Sequence, residues 1–189
     1  MDAVGQLGDL RRDVVAISVA GQQHGLVATD SEGTPLRKAK LWNDTESAPQ
    51  AAALVSELGA GVWAEKCGSV PVAAFTVTKL AWLVETQPDL VARICAVGLP
   101  HDWLTRKLCG RHVSDRGDAS GTGWYDAAAL APGAGVRREL IAAAVRRAPG
   151  ELADPAHWSA LLPEVLSPGE AAGTILPEVA AELLSLIHI

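Results

Sequence analysis

At 189 residues and 49% hydrophobic composition, the chain can bury one core or most of one lobe of a larger protein, so a single domain is the default. The 16 Lys and Arg against 22 Asp and Glu give a formal charge of -6, the wrong sign for neutralising nucleic-acid phosphates. The apolar run Val14 to Ala20 is far too short to span a membrane, and no basic segment and cleavage site frame it as a signal. An odd count of 3 cysteines without a C-x-x-C pair fits a reducing compartment, so a cytoplasmic location is expected.

In chain order, the first dozen residues are weakly patterned. Val14 to Ala20 then reads as a buried strand by its β-branched enrichment. Gly21 and Gly25 bracket a turn. Leu26 to Asp30 reads as a second strand, Ser31-Glu32-Gly33-Thr34-Pro35 as a turn, and Leu36 to Leu41 as a third strand of an antiparallel meander. From Ser47 the period becomes helical: Ser47 suits a cap, Pro49 a first turn, and Gly59 a stop after Ala51 to Leu58. Further helices are expected over Thr78 to Thr86, Asp89 to Ile94, Asp102 to Leu108 and Val136 to Arg147. The polar stretch Val113 to Gly123 is rich in turn formers and reads as a long functional loop without an element of its own. Trp42, Trp63, Trp82, Trp103 and Trp124 recur about every twenty residues, but their surroundings share no pattern, so they are independent core or cleft anchors rather than a repeat.

Three segments carry chemistry. Ala20-Gly21-Gln22-Gln23-His24-Gly25 sets two amides and an imidazole on a turn after a strand, where glycines let the backbone approach a small polar ligand. A polar hairpin turn explains the same residues. Leu41-Trp42-Asn43-Asp44-Thr45 places an aromatic face beside an amide and a carboxylate, as a sugar would require, or as an Asx turn beside a core Trp would show. In Phe75-Thr76-Val77-Thr78-Lys79, a lysine near a helix start is electrostatically disfavoured, which points to a fixed partner. His101, Asp102, His112, Asp115 and Asp118 have no diagnostic short spacing, so no metal ligand is expected. Ser120 lacks the glycine two residues before it that a nucleophile elbow needs, and no Walker-type loop occurs.

Taken together and in order, VAGQQHG, LWNDTES, FTVTKLAWL, LPHDWLTRKLCG and VSDRGDASGTGWYD resemble successive blocks of the FGGY family of carbohydrate kinases, in its xylulose-kinase branch, from about Val14 to Glu178. The resemblance implies an α/β fold, part of the ribonuclease-H-like, actin-like ATPase N-terminal lobe of a sugar kinase. It divides the chain into a weakly patterned leader (1–13), a partial sugar-binding domain (14–178) and a tail unlike the family (179–189). It maps the family's sugar-contacting dipeptide onto Gln23 and His24, where the branch commonly has Met-His. Trp42, Asn43, Asp44 and Phe75 are further candidates for the cleft wall.

The reaction so implied is transfer of the ATP γ-phosphoryl group to the 5-hydroxyl of D-xylulose. ATP and Mg²⁺ would serve the full-length enzyme and would not be bound by this stretch. The family's phosphate-contacting Asp-x-Gly-Thr turn and its Gly-x-Gly-Asp-Asn segment with the general base have no counterpart here, so no catalytic residue is assigned and the chain alone is expected to be inactive. A small ketose is the expected partner, with neither nucleic acid nor membrane, and with a homodimer of the full-length enzyme left open. Two alternatives remain: another FGGY kinase, for ribulose, gluconate or glycerol, and a non-catalytic sugar-binding module. Glycerol kinases carry an Arg-Glu pair where this chain has Gln23 and His24.

Overall fold

A computed structural model describes residues 5–129 and 133–185. The leader over 1–13 and the tail over 179–189 therefore fall partly outside the described residues. Strand β1 (Val27–Thr29) pairs antiparallel with β2 (Ala96–Gly98), Ala28 opposite Val97. On its other edge the chain returns as expected, through Asp30, whose carboxylate accepts the amides of Glu32 and Thr34 at 3.0 and 2.9 Å. Bridges Thr29 to Pro35 and Leu26 to Lys40 close this edge. Between these bridges two residues on one side face four on the other, so the return strand bulges and is not a regular strand.

The buried strand expected over Val14 to Ala20 does not form. Residues 5–13 make a 3-10 helix broken at Gly8, and Val14, Val15 and Ile17 are exposed, Val15 to 99%. Buried β-branched residues need a partner strand and a covering layer, and among the described residues nothing supplies either.

The helices form the core. Helix α1 (Ala48–Leu58) begins with Ser47 at its N-cap position, but the Ser47 hydroxyl does not cap it. That hydroxyl instead reaches the Ala73 carbonyl and the Thr78 hydroxyl, both at 3.0 Å, and so ties α1 to the chain around Ala73 to Thr78. Gly59, at φ 83°, ends α1 and opens α2 (Ala60–Cys67), a helix the sequence pattern did not show. Helix α3 (Thr76–Thr86) is the central one: Thr76 through Ala81, Leu83 and Val84 are all buried, with α1 and the later helix over Arg138–Val145 packed on it. Each large apolar side chain so enclosed contributes about 1.5–3 kcal/mol.

Short α4 (Pro88–Val91) leads into β2, and α5 (Pro100–Cys109) follows, two residues earlier than expected because Pro100 suits its first turn and the Asp102 carboxylate accepts the Leu99 amide at 2.7 Å. The polar stretch is not a bare loop. It holds β3 (Val113–Asp115), α6 (Arg116–Ala119) and a 3-10 turn over Ser120–Thr122. Strand β3 pairs in parallel with β4 (Glu164–Leu166) across α7 (Arg138–Val145) and α8 (Pro155–Ala160), and α9 (Pro177–Ser185) is last. Trp63, Trp124 and Trp158 are core residues, whereas Trp42 is 56% exposed. The three cysteines are free thiols. Among the described residues no helix is long and apolar enough to cross a membrane.

Candidate functional site

Two turns leave the same end of the β1 edge. Leu26 and Lys40 exchange backbone hydrogen bonds at 2.9 and 3.1 Å, so the 20–25 turn enters this rung as the 41–47 turn departs. The first turn lies against the start of α5. A Cβ at Gly21 would stand 2.7 Å from the His101 Cβ, and one at Gly25 would stand 2.7 Å from the Pro100 ring, so only glycine allows this approach.

His24 sits in the left-handed region at φ 61°, a conformation a residue with a Cβ adopts only when its surroundings hold it there. The holders are visible. Its Nδ1 is 2.5 Å from the Gly121 carbonyl oxygen, and its ring lies 4.7 Å from the Phe75 ring at 30°. A carbonyl only accepts, so Nδ1 carries the proton and Nε2 of the neutral ring is left with a lone pair. His24 is half-buried and Gln23 beside it is exposed, so this edge is open to a polar ligand. Of the residues expected from sequence, His24 and Phe75 are in contact. Trp42 and Asn43 are exposed on the neighbouring turn.

Asp44 has a structural partner that sequence reading missed. Lys40, only 2% exposed, donates to Asp44 at 2.7 Å and to Glu46 at 2.5 Å, with its ammonium 3.8 Å from the Trp82 ring centre. Burial alone would raise the Asp44 carboxyl, but the Lys40 hydrogen bond, the Glu46 amide and the charges of Lys40 and Lys79 outweigh it and hold it below the usual carboxylate range. The partner foreshadowed for Lys79 is equally definite. Its ammonium is fully buried and donates to the carbonyls of Ala73, at 3.0 Å, and Ala74. Burial pushes it down to about 8, with Asp44 opposing that shift and Lys40 adding to it. A lysine inside Lys38-Ala39-Lys40-Leu41-Trp42 was the one sequence signal for this cluster.

The nucleotide and its Mg²⁺ do not fit the residues present. Glycines of the 117–123 stretch are filled by the chain itself and cradle nothing: the Cβ position of Gly121 meets His24 at 2.5 Å, and that of Gly123 meets Val77 at 2.6 Å. Both buried ammonium groups are spent on internal partners. What the arrangement can do is present an oriented imidazole, an amide and an aromatic face to a hydroxylated molecule.

Comparison with known proteins gives that arrangement its context. The family model described as the N-terminal domain of the FGGY family of carbohydrate kinases matches residues 2–186. Xylulose kinases of Streptomyces coelicolor and Streptomyces rubiginosus are 50% and 49% identical over 92% of this chain, which spans about a third (33%) of their length. The crystal structure of a xylulose kinase from Bifidobacterium adolescentis superposes with a TM-score of 0.76 at 42% identity, over 85% of this chain and 37% of that one. The fold is thus the α/β, actin-like type of a sugar-kinase N-terminal domain. The chain belongs to the FGGY family of carbohydrate kinases.

Proposed function

We propose that this chain is the sugar-side part of a cytoplasmic enzyme that phosphorylates D-xylulose to D-xylulose 5-phosphate at the expense of ATP, and that the chain alone turns over neither ATP nor sugar. The observation that carries the reading is the pinned His24 ring, with Nε2 free to bond a hydroxyl and exposed Gln23 beside it. Phosphoryl transfer passes through a loose transition state, so the protein's work is mainly alignment and charge neutralisation. Here Gln23 and His24 align the ketose by hydrogen bonds. Trp42, Asn43, Asp44 and Phe75 wall the cleft, and Asp44 is kept ionised by Lys40. ATP and Mg²⁺ are held by parts of the enzyme outside this chain.

In the full-length kinase, His24→Ala should raise the KM for D-xylulose or lower kcat/KM about tenfold or more, since a lost hydrogen bond to a bound hydroxyl costs about 1–2 kcal/mol. Unchanged kinetics in a folded variant would remove His24 from the site. Sugar-dependent ATP consumption by residues 1–189 alone would overturn the assignment of the remaining machinery elsewhere.

A further inference from the structure

We propose that His101, Asp115 and Asp118 form a binding site for a first-row divalent transition-metal ion such as Zn²⁺, a role separate from the nucleotide-borne Mg²⁺. Asp115 and Asp118 are near neighbours in sequence, and the fold brings His101 of the preceding helix to them. Pro100 starts α5 and places His101 on its first turn, and β3 ends in Asp115 just where α6 carries Asp118. The His101 Nε2 is 3.0 Å from the Asp118 Oδ2 and 3.8 Å from the Asp115 Oδ2, and the three donor atoms all lie within 4.8 Å of one another. An ion with bonds of about 2.0–2.2 Å to imidazole and carboxylate sets neighbouring donors about 3–3.5 Å apart, so little movement is needed to close on one.

The decisive feature is His101 itself. Its side chain is 5% exposed, yet Nε2 makes no hydrogen bond, although two carboxylates flank it. Nε2 meets the Asp118 carboxylate at 3.0 Å without forming a hydrogen bond, and a bound cation would give the imidazole and both carboxylates a shared partner in place of that contact. The other ring nitrogen, Nδ1, is 3.3 Å from the Asp102 Oδ1, and Asp102 is anchored in turn by the Leu99 amide at 2.7 Å. This acidic neighbour, in contact with Nδ1 but not hydrogen-bonded to it, favours the proton on that side and leaves Nε2 facing Asp115 and Asp118. Asp115 is oriented too, its Oδ1 accepting the Asp118 amide at 2.9 Å so that Oδ2 is left for the ion. Asp115 is 63% exposed, which gives the ion a route in from solvent and leaves room for water as a further ligand. His112 is not a member, since its Nε2 approaches the Leu161 carbonyl at 3.2 Å.

The test uses the 189-residue protein after chelation, titrated with Zn²⁺ by calorimetry and with Co²⁺ by visible absorption. One ion per chain should bind. Asp118→Asn and His101→Gln should each weaken binding at least tenfold and change the Co²⁺ spectrum. Asp102→Asn, behind the histidine, should weaken it about 10–100-fold. Glu65→Gln, on the exposed face of α2, should change neither. Should His101→Gln fail to fold, Asp118→Asn and Asp115→Asn carry the test, because both leave the helix start intact. Absence of stoichiometric binding of either ion, or binding that Asp118→Asn leaves unchanged, overturns the proposal.

Discussion

Gly121→Ala perturbs the seat of His24 without touching the histidine. Gly121 has an ordinary backbone conformation, so alanine costs nothing in φ; the cost is space. The new Cβ would stand 2.5 Å from the His24 Cε1 and 2.7 Å from Nδ1, against an ordinary contact of about 3.5–4.0 Å. The ring must therefore withdraw by roughly 1 Å or more, and the 2.5 Å contact from Nδ1 to the Gly121 carbonyl cannot survive that shift. Overpacking costs about 1–3 kcal/mol and the lost hydrogen bond about 1 kcal/mol. His24 is half-buried and can swing toward solvent, which sheds part of the crowding and relieves its left-handed backbone. The expected loss is about 1–2 kcal/mol of stability, read by urea unfolding. It should come with a shift of the His24 imidazole nitrogen resonances toward those of a mobile ring. If His24 has the proposed role, the same substitution in the full-length protein should raise the KM for D-xylulose, as is expected of His24→Ala. Wild-type stability together with unchanged imidazole resonances would refute the claim that Gly121 positions His24.

Lys79 gives a pH signature. Its folded-state value of about 8 lies below the 10.5 of the unfolded chain, so between these the unfolded state binds more protons and stability rises with pH. Lys79→Met should abolish that rise, at most about 3 kcal/mol over the interval, in denaturation curves compared at pH 7.5 and 10.5; an identical pH dependence in both proteins would contradict the burial of a charged Lys79. Trp63→Ala empties a fully buried site and removes the indole N–H bond to the Leu54 carbonyl at 3.0 Å. A loss of about 3–5 kcal/mol is expected in urea unfolding, and less than about 1 would mean that α2 is not docked as described.

Helix starts and stops were legible where single residues enforce them. Pro49 and Gly59 stand at the boundaries they suggested, because a missing N–H or a positive φ acts locally, whereas Pro100 opens α5 two residues before the start expected at Asp102. Strands were less legible. Val14 to Ala20 has strand composition but no partner among the described residues, whereas Ala96–Gly98 is too short to show alternation and becomes a strand because β1 lies beside it. Candidate site residues were legible as single blocks, since His24 and Phe75 each carry their own chemistry. Their supports were not. Gly121 contributes a carbonyl, Lys40 sits in a strand-like run, and His101 meets Asp118 only through tertiary packing.

The parallel pairing of β3 with β4 has a kinetic side. Parallel neighbours cannot be joined by a tight turn, and here the connection carries α7 and α8, so the pair forms only after a long segment has been brought back on itself. Contacts between distant segments are slow to form, whereas α1, α2 and α3 follow one another closely along the chain. Asp115 and Asp118 hang from the end of β3, and Gly121 follows them directly. The seat of the imidazole therefore depends on closures between distant segments, and a partly folded chain would hold its helical core before it could fix His24.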